Sequence, residues 1–283
     1  MIWNRVLPEV NLALKITNWC NLHCAHCCER SSAAESLNLM PIAKVEKYIT
    51  EFGDMGVPVW KEVVLTGGEA LAPYLKKQEK YIPTIANIAA QNNLSVAIKT
   101  NAKWGENSLL RNRILNDLAD VAQKNDRQIS MDISIDEYHD NLMGAAEIVD
   151  TIMDSKLLTD AIPVSWCGLN TVASEYQRQT FVNMLTQRGI TVLPMDPDGG
   201  IVLLKHDNMN VMFHDIGGLS RIGRAADNNL TDYVPRGMPN QTGNCFEITN
   251  TDMAILNYCF KTPVGNKTLG QLYHELKQRV PTR

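Results

Sequence analysis

The chain has 283 residues, 45% of them apolar and 20% charged, which is ordinary for a globular protein and long enough to bury a full core. Its net charge of −4 supplies no general field for nucleic acid or an anionic membrane, and no apolar run approaches the roughly 20 residues of a membrane span. Seven cysteines is an odd count and residues 1–8 lack the basic-then-apolar pattern of a signal peptide, so reduced thiols in a cytoplasmic setting are expected rather than a disulfide framework.

The first predicted element is a strand, Val10–Thr17, which runs into Cys20-Asn-Leu-His-Cys24-Ala-His-Cys27. Three thiolates from one short stretch suit a metal centre with one position left open, because a cubane iron–sulfur cluster normally takes four cysteines. Zinc is the competing reading, with His23, His26 or Cys28 as a fourth ligand. A helix over Ile42–Met55 follows, then a strand over Glu62–Thr66 that ends in Gly67-Gly68-Glu69. Two residues without a Cβ let backbone approach a ligand closely, although such a sequence also makes an ordinary turn.

A helix over Tyr74–Asn92 leads to a third strand, Ser95–Thr100, capped by the polar Asn101, and a helix over Leu109–Asn125 leads to a fourth, Gln128–Ile135. Period-two alternation there puts Asp132, Ser134 and Asp136 on one face, where buried carboxylates need partners. His139 just beyond is a proton relay or a hydrogen-bonded spectator. A helix over Asn141–Ser155, a strand over Ala161–Cys167, a helix over Glu175–Arg188 and a strand over Ile190–Met195 complete the alternation. The predicted fold is α/β: a partial (β/α)6 TIM-like barrel with its chemistry at the C-terminal strand ends.

Beyond about residue 200 the pattern changes, which divides the chain into a core at 1–200 and an extension at 201–283. Ile201–Leu204 and Val211–Phe213 read as a hairpin across Asp207-Asn208, and 217–243 as a long loop. A second hairpin, Phe246–Thr249 with Met253–Tyr258, lies between Cys245 and Cys259, and a helix runs from Thr268 to about Val280. Two buried core cysteines are one account of Cys245 and Cys259.

The cysteine run, the Gly-Gly-Glu on the next strand and Ser134-Ile-Asp136-x-x-His139 together resemble the radical S-adenosylmethionine (radical SAM) superfamily. The resemblance implies a 4Fe-4S cluster on Cys20, Cys24 and Cys27 whose open iron chelates S-adenosylmethionine (SAM). It places Gly67, Gly68 and Glu69 at the cofactor's amino group, Ser134 and Asp136 by its ribose, and His26 against its adenine, with Asn101 at the same mouth. Arg221-Ile-Gly223-Arg224-Ala225 is similar to a Gly-Arg-Ala element of the family, in which Arg224 pairs with a carboxylate. The segment around Cys245 and Cys259 resembles a partial SPASM or twitch extension, which implies an auxiliary iron–sulfur cluster. The turn departs from the family's Asp-Gly, because Asn250-Thr251-Asp252 stands there, and two thiolates fall short of a full ligand set. The implied activity is reductive cleavage of SAM to a 5′-deoxyadenosyl radical that abstracts a hydrogen atom from a substrate, a peptide or a small molecule. A low-potential donor of flavodoxin or ferredoxin type would supply the electron. The short segment before Cys20 is expected to leave no room for a leader-binding domain. A zinc-stabilised binding domain or an electron carrier is the non-enzymatic alternative.

Overall fold

Alternate residues of the first strand, Leu12, Leu14 and Ile16, are completely buried, and this stripe lays β1 (Val10–Thr17) onto a layer of helices. The computed structural model describes residues 10–27, 29–55, 59–169, 171–194, 201–212, 214–217, 224, 227–228, 230, 244–249, 253–256 and 260–278. After β1 come α1 (Ile42–Gly53), β2 (Val59–Gly67), the short α2 (Ala72–Leu75), α3 (Tyr81–Gln91), β3 (Ser95–Thr100) and α4 (Ser108–Asn125). Then follow β4 (Ile129–Ser134), α5 (Leu142–Met153), α6 (Lys156–Ala161), β5 (Val164–Leu169), α7 (Val172–Gln187), β6 (Thr191–Pro194), β7 (Ile201–Lys205), β8 (Asn208–Met212) and β9 (His214–Gly217). The last described elements are β10 (Asn244–Thr249), β11 (Met253–Leu256), β12 (Phe260–Pro263) and α8 (Leu269–Lys277).

The larger sheet runs β12-β11-β10-β1-β2-β3-β4-β5-β9 and is parallel from β10 to β9. Among the described residues its edges do not meet, so the barrel is open. One face packs into a continuous apolar core with Val45, Ile49 and Phe52 of α1, Ile114 and Leu118 of α4, Ile148 of α5 and Phe181 of α7. On the other face β4 turns out polar side chains: Ser130 donates to Glu62 at 2.9 Å, Asp132 lies 3.9 Å from Lys99 and takes a hydrogen bond from Ser165, and Ser134 meets Cys167 at 3.5 Å. The predicted alternation therefore separates an apolar helix-facing layer from a polar concave one.

The sixth parallel strand is not the expected Ile190–Met195. That segment contributes β6 to a separate antiparallel sheet, β6-β7-β8, and β9 takes the place beside β5. β6 is largely exposed and ends at Pro194, and among the described residues it pairs with β7 alone. The β7–β8 turn falls at His206-Asp207, one residue earlier than expected, with His206 at a positive φ of 54°. The predicted helix over Tyr74–Asn92 is broken between α2 and α3, where Lys77 adopts a left-handed φ of 61° and the Gln78 amide turns back to the Pro73 carbonyl. Ala161, expected in a strand, ends α6, which Ser155 caps by accepting from the Leu158 amide. The C-terminal hairpin forms as β10–β11 with β12 added, and β10 docks parallel to β1.

Candidate metal and cofactor site

The cysteine loop leaves β1 at its C-terminal end. Trp19 forms an isolated bridge with Ser32, and the Cys20 amide donates to the Ser32 carbonyl at 3.2 Å, closing the loop at its base. Cys20, Cys24 and Cys27 are in no disulfide. The Cys20 sulfur accepts from the Leu22 amide and from Asn101 Nδ2, both at 3.4 Å. Burial, with the charges of Glu69 and Cys24 adding, pushes this thiol up to about 12, while those two hydrogen bonds act in the opposite direction. Metal ligation requires the thiolate, so binding here must displace a tightly held proton. The N–H groups already aimed at the sulfur suit the ionised form.

Gly67-Gly68-Glu69 lies against the start of this loop. The Gly68 amide donates to the Thr17 carbonyl and the Glu69 amide to the Trp19 carbonyl, each at 2.8 Å. A Cβ on Gly67 would fall 2.2 Å from the Thr17 oxygen, where φ is also +128°, and one on Gly68 would fall 2.0 Å from the Trp19 oxygen. Both glycines thus permit a backbone-to-backbone approach that sets the height of Cys20. The Glu69 carboxyl is wholly buried and accepts from the Leu71 amide at 2.9 Å, Thr100 Oγ1 at 2.8 Å and the Asn101 amide at 2.9 Å. Burial raises its pKa against these three bonds, which favour the carboxylate. Asn101 then reaches from β3 to the loop, touching Cys20 and donating to Asn21 Oδ1 at 2.8 Å.

The end of β4 supplies the third side. Asp136 is buried and accepts from the Tyr138 amide at 2.9 Å and from His139 Nδ1 at 2.8 Å, with His26 Nε2 at 3.7 Å. Burial works against its charge, but the hydrogen bond and charge of His139, then the charge of His26, bring its pKa below the usual carboxylate value. Burial likewise opposes a charge on His139, yet its hydrogen bond to Asp136, with the neighbouring Cys24 adding, carries its basicity well above that of an ordinary imidazole. His26 goes the other way, lowered chiefly by burial. Its ring stacks on Tyr138 with centroids 4.7 Å apart, and its Nδ1 is buried with no hydrogen-bond partner. His26, Asp136 and His139 also offer three ligand atoms within 4.8 Å of one another. Asn141 ties the strand ends together, donating to the Asn101 carbonyl at 2.5 Å and the Ser134 carbonyl at 2.6 Å.

The Arg224 guanidinium faces carbonyls of the cysteine loop. Nε donates to the Cys24 carbonyl at 2.8 Å and NH2 to the Ser31 carbonyl at 2.6 Å, while its amide donates to the Cys27 carbonyl at 2.9 Å. Beside it Asn228 holds the Ala25 carbonyl at 2.9 Å, and Asp227 receives a two-pronged bond from Arg30 at 2.8 Å per contact. The loop closes a turn of its own, from the Cys27 amide to the Cys24 carbonyl at 3.2 Å, and further bonds to its carbonyls come from a segment some 200 residues away.

The structure therefore brings Cys20, Cys24, Cys27, His26, Gly67, Gly68, Glu69, Asn101, Asp136 and Arg224 to one strand-end mouth, with Ser134 on the adjoining concave face. Three soft thiols on a pre-shaped loop fit an iron–sulfur centre with an open position. Cys28 and Cys259 lie outside the described residues, and for Cys245 only its backbone in β10 is described. Asn21, Asn141 and Asn228 carry no signal in the sequence, since single polar residues at strand ends and in loops are common. Tyr138 beside His139 shows only as an aromatic next to a motif.

The sequence profile of the Radical SAM superfamily matches residues 14–162, more than half of the chain. L-lysine 2,3-aminomutase of Fusobacterium nucleatum subsp. nucleatum is 31% identical over 87 residues, a match covering 31% of this chain and 20% of that protein, so the chain spans about a fifth of this relative's length. Among solved structures, native anSMEcpe with bound AdoMet superposes with a TM-score of 0.52 at 13% identity, over 95% of this chain and 82% of that one. A polyhistidine-tagged anSMEcpe with bound AdoMet gives a TM-score of 0.51 at 13% identity, over 95% and 80%. At that identity the likeness is one of fold. With the profile spanning the strands that build the mouth, the chain belongs to the radical SAM superfamily.

Proposed function

We propose that this protein is a radical SAM enzyme acting on a peptide or small molecule held against the polar concave face of the open barrel. The family's cofactors are a 4Fe-4S cluster and SAM, which together supply a 5′-deoxyadenosyl radical able to abstract a hydrogen atom. Cys20, Cys24 and Cys27 would hold the cluster. Asn101 and the Leu22 amide stabilise the Cys20 thiolate, and Glu69 fixes Asn101 by holding its amide. Gly67 and Gly68 give the second strand's end its close approach to the loop. His26, Ser134 and Asp136 are the proposed contacts of the cofactor's nucleoside. Arg224 keeps the loop carbonyls turned away from the mouth and off the ligand positions.

The observation that carries the reading is the juxtaposition of three free thiols with the Gly-Gly-Glu strand end, joined through Asn101 and Glu69. Residues 1–200 are the proposed core and 201–283 the extension, which supplies β9, β10 and the Arg224 contacts. Cys245 and Cys259 remain proposed ligands of an auxiliary cluster. A flavodoxin- or ferredoxin-like donor in a reducing, cytoplasmic setting suits an oxygen-sensitive centre. No helix among the described residues is long and apolar enough to cross a membrane.

The test is anaerobic reconstitution with iron and sulfide, followed by dithionite and SAM. Formation of 5′-deoxyadenosine is expected, and Cys24→Ala should abolish it because two thiolates cannot hold the cubane. A zinc-loaded or redox-active protein that leaves SAM intact would overturn the proposal.

A further inference from the structure

The residues of the mouth continue down the strands into the groove. Lys99 stands two positions before Asn101 at the end of β3, and Asp132 two before Ser134 on β4, so period two puts both on the concave face about 7 Å deeper, by the rise of a strand. The two residues are register partners, with Lys99 Nζ 3.9 Å from Asp132 Oδ2, close enough to attract but beyond hydrogen-bond reach. Ser165, the partner of Asp132 on β5, donates to Oδ1 and fixes the carboxylate from the other side. The Lys99 side chain is 35% exposed and that of Asp132 22%. The neighbouring charges are more closely engaged: Lys15 on β1 is 7% exposed and pairs with Glu29 of the cysteine loop, and Glu62 accepts from Ser130 at 2.9 Å. An ion pair as long as Lys99–Asp132, open to the groove, adds little to stability.

We propose that Lys99 and Asp132 are the recognition pair for the zwitterion of a free α-amino acid, its carboxylate set on Lys99 and its ammonium on Asp132. The inference deepens the radical SAM reading and rests on it, choosing the small molecule over the peptide. In such a substrate one carbon bears both charges, roughly 3 Å apart by standard bond lengths, so they fit crosswise over two opposite charges. An ammonium has three N–H donors and a carboxylate two accepting oxygens, so Asp132 can take the ligand while Ser165 still holds it. An internal residue of a peptide carries neither charge and would cover the pair without matching it. Ser134 and Cys167, 3.5 Å apart, stand between the pair and the mouth. Both are short side chains, and the rest of the amino acid extends past them toward the mouth.

The test uses anaerobically reconstituted protein with SAM and the common L-amino acids supplied singly, methionine excepted because SAM cleavage releases it. Each is compared with its Nα-acetyl and carboxamide derivatives, binding being read by calorimetry on the unreduced protein and turnover by 5′-deoxyadenosine after dithionite. At least one amino acid is expected to bind and to speed 5′-deoxyadenosine formation. Its two derivatives should bind about tenfold more weakly or worse, the loss of one charge-assisted hydrogen bond. Lys99→Met should bind the amino acid and its carboxamide alike, and Asp132→Asn the amino acid and its acetyl derivative alike. A merely structural role would not remove discrimination in this paired way. SAM cleavage with no amino acid bound overturns the recognition pair and leaves the proposed function standing, as does binding in which the blocked derivatives equal their parent. If a variant takes up no iron, the wild-type comparison of blocked and unblocked ligands decides alone. A wild-type chain that leaves SAM intact is a separate result, removing the proposed function and the recognition pair together.

Discussion

Arg224→Ala tests how much of the cysteine loop's shape is imposed from outside it. The substitution removes two charge-assisted hydrogen bonds, to the Cys24 carbonyl at 2.8 Å and the Ser31 carbonyl at 2.6 Å, and leaves the backbone bond to Cys27 available. Arg224 is 8% exposed, so the abandoned carbonyls are poorly placed to recover the loss from water. Bonds of this type contribute about 1.5–3 kcal/mol each, and taking the lower value for both gives roughly 3 kcal/mol. At about 1.4 kcal/mol per decade, that moves the balance between held and released loop by a little over a hundredfold. Amide hydrogen exchange read by mass spectrometry should show a loss of protection of that order over residues 20–31. Reconstitution at limiting iron should give markedly less iron per chain. Arg224→Lys should rescue only in part, since one ammonium cannot span both carbonyls. Unchanged protection together with unchanged iron loading would refute the claim that this segment shapes the loop.

Two further outcomes are expected. Gly68→Ala places a methyl 2.0 Å from the Trp19 carbonyl, a backbone contact that cannot yield cheaply. A stability loss at or above the roughly 1–3 kcal/mol of an overpacked site is expected in urea unfolding, with impaired cluster uptake, and full uptake would show that the approach to the loop is dispensable. Replacing Cys245 and Cys259 together by Ala should lower iron per chain while 5′-deoxyadenosine still forms, and unchanged iron content would exclude an auxiliary cluster on that pair.

What could be read from the amino-acid order was whatever depends on near neighbours. Val10–Thr17 and Ser95–Thr100 are strands with the bounds their β-rich runs predict, and the cysteine run and Gly-Gly-Glu sit at strand ends as expected. The polar face of β4 was equally legible, because period two alone places Asp132 and Ser134 together. The break after Leu75 was hidden, since Lys77 is an ordinary residue whose left-handed backbone is imposed by the turn back to Pro73. More was hidden where partners are remote. Nothing local in His214–Gly217 marks it as the strand beside β5, and nothing in Arg224 says that its acceptors are peptide carbonyls of residues 24 and 31.

The placement of β10 beside β1 carries a consequence for the order in which the molecule matures. Val10 is in register with Asn244, and Cys24 waits for Arg224. During synthesis β1 lacks its β10 neighbour, and the cysteine loop lacks its bonds from Arg224, until residue 249 has cleared the ribosomal tunnel. Iron delivered to a nascent chain would meet a floppy chelator instead of a finished socket. Loading of the proposed cluster is thereby deferred until this whole region has been made, and a polypeptide ending before Arg224 would carry the three thiols without the bonds that shape their loop.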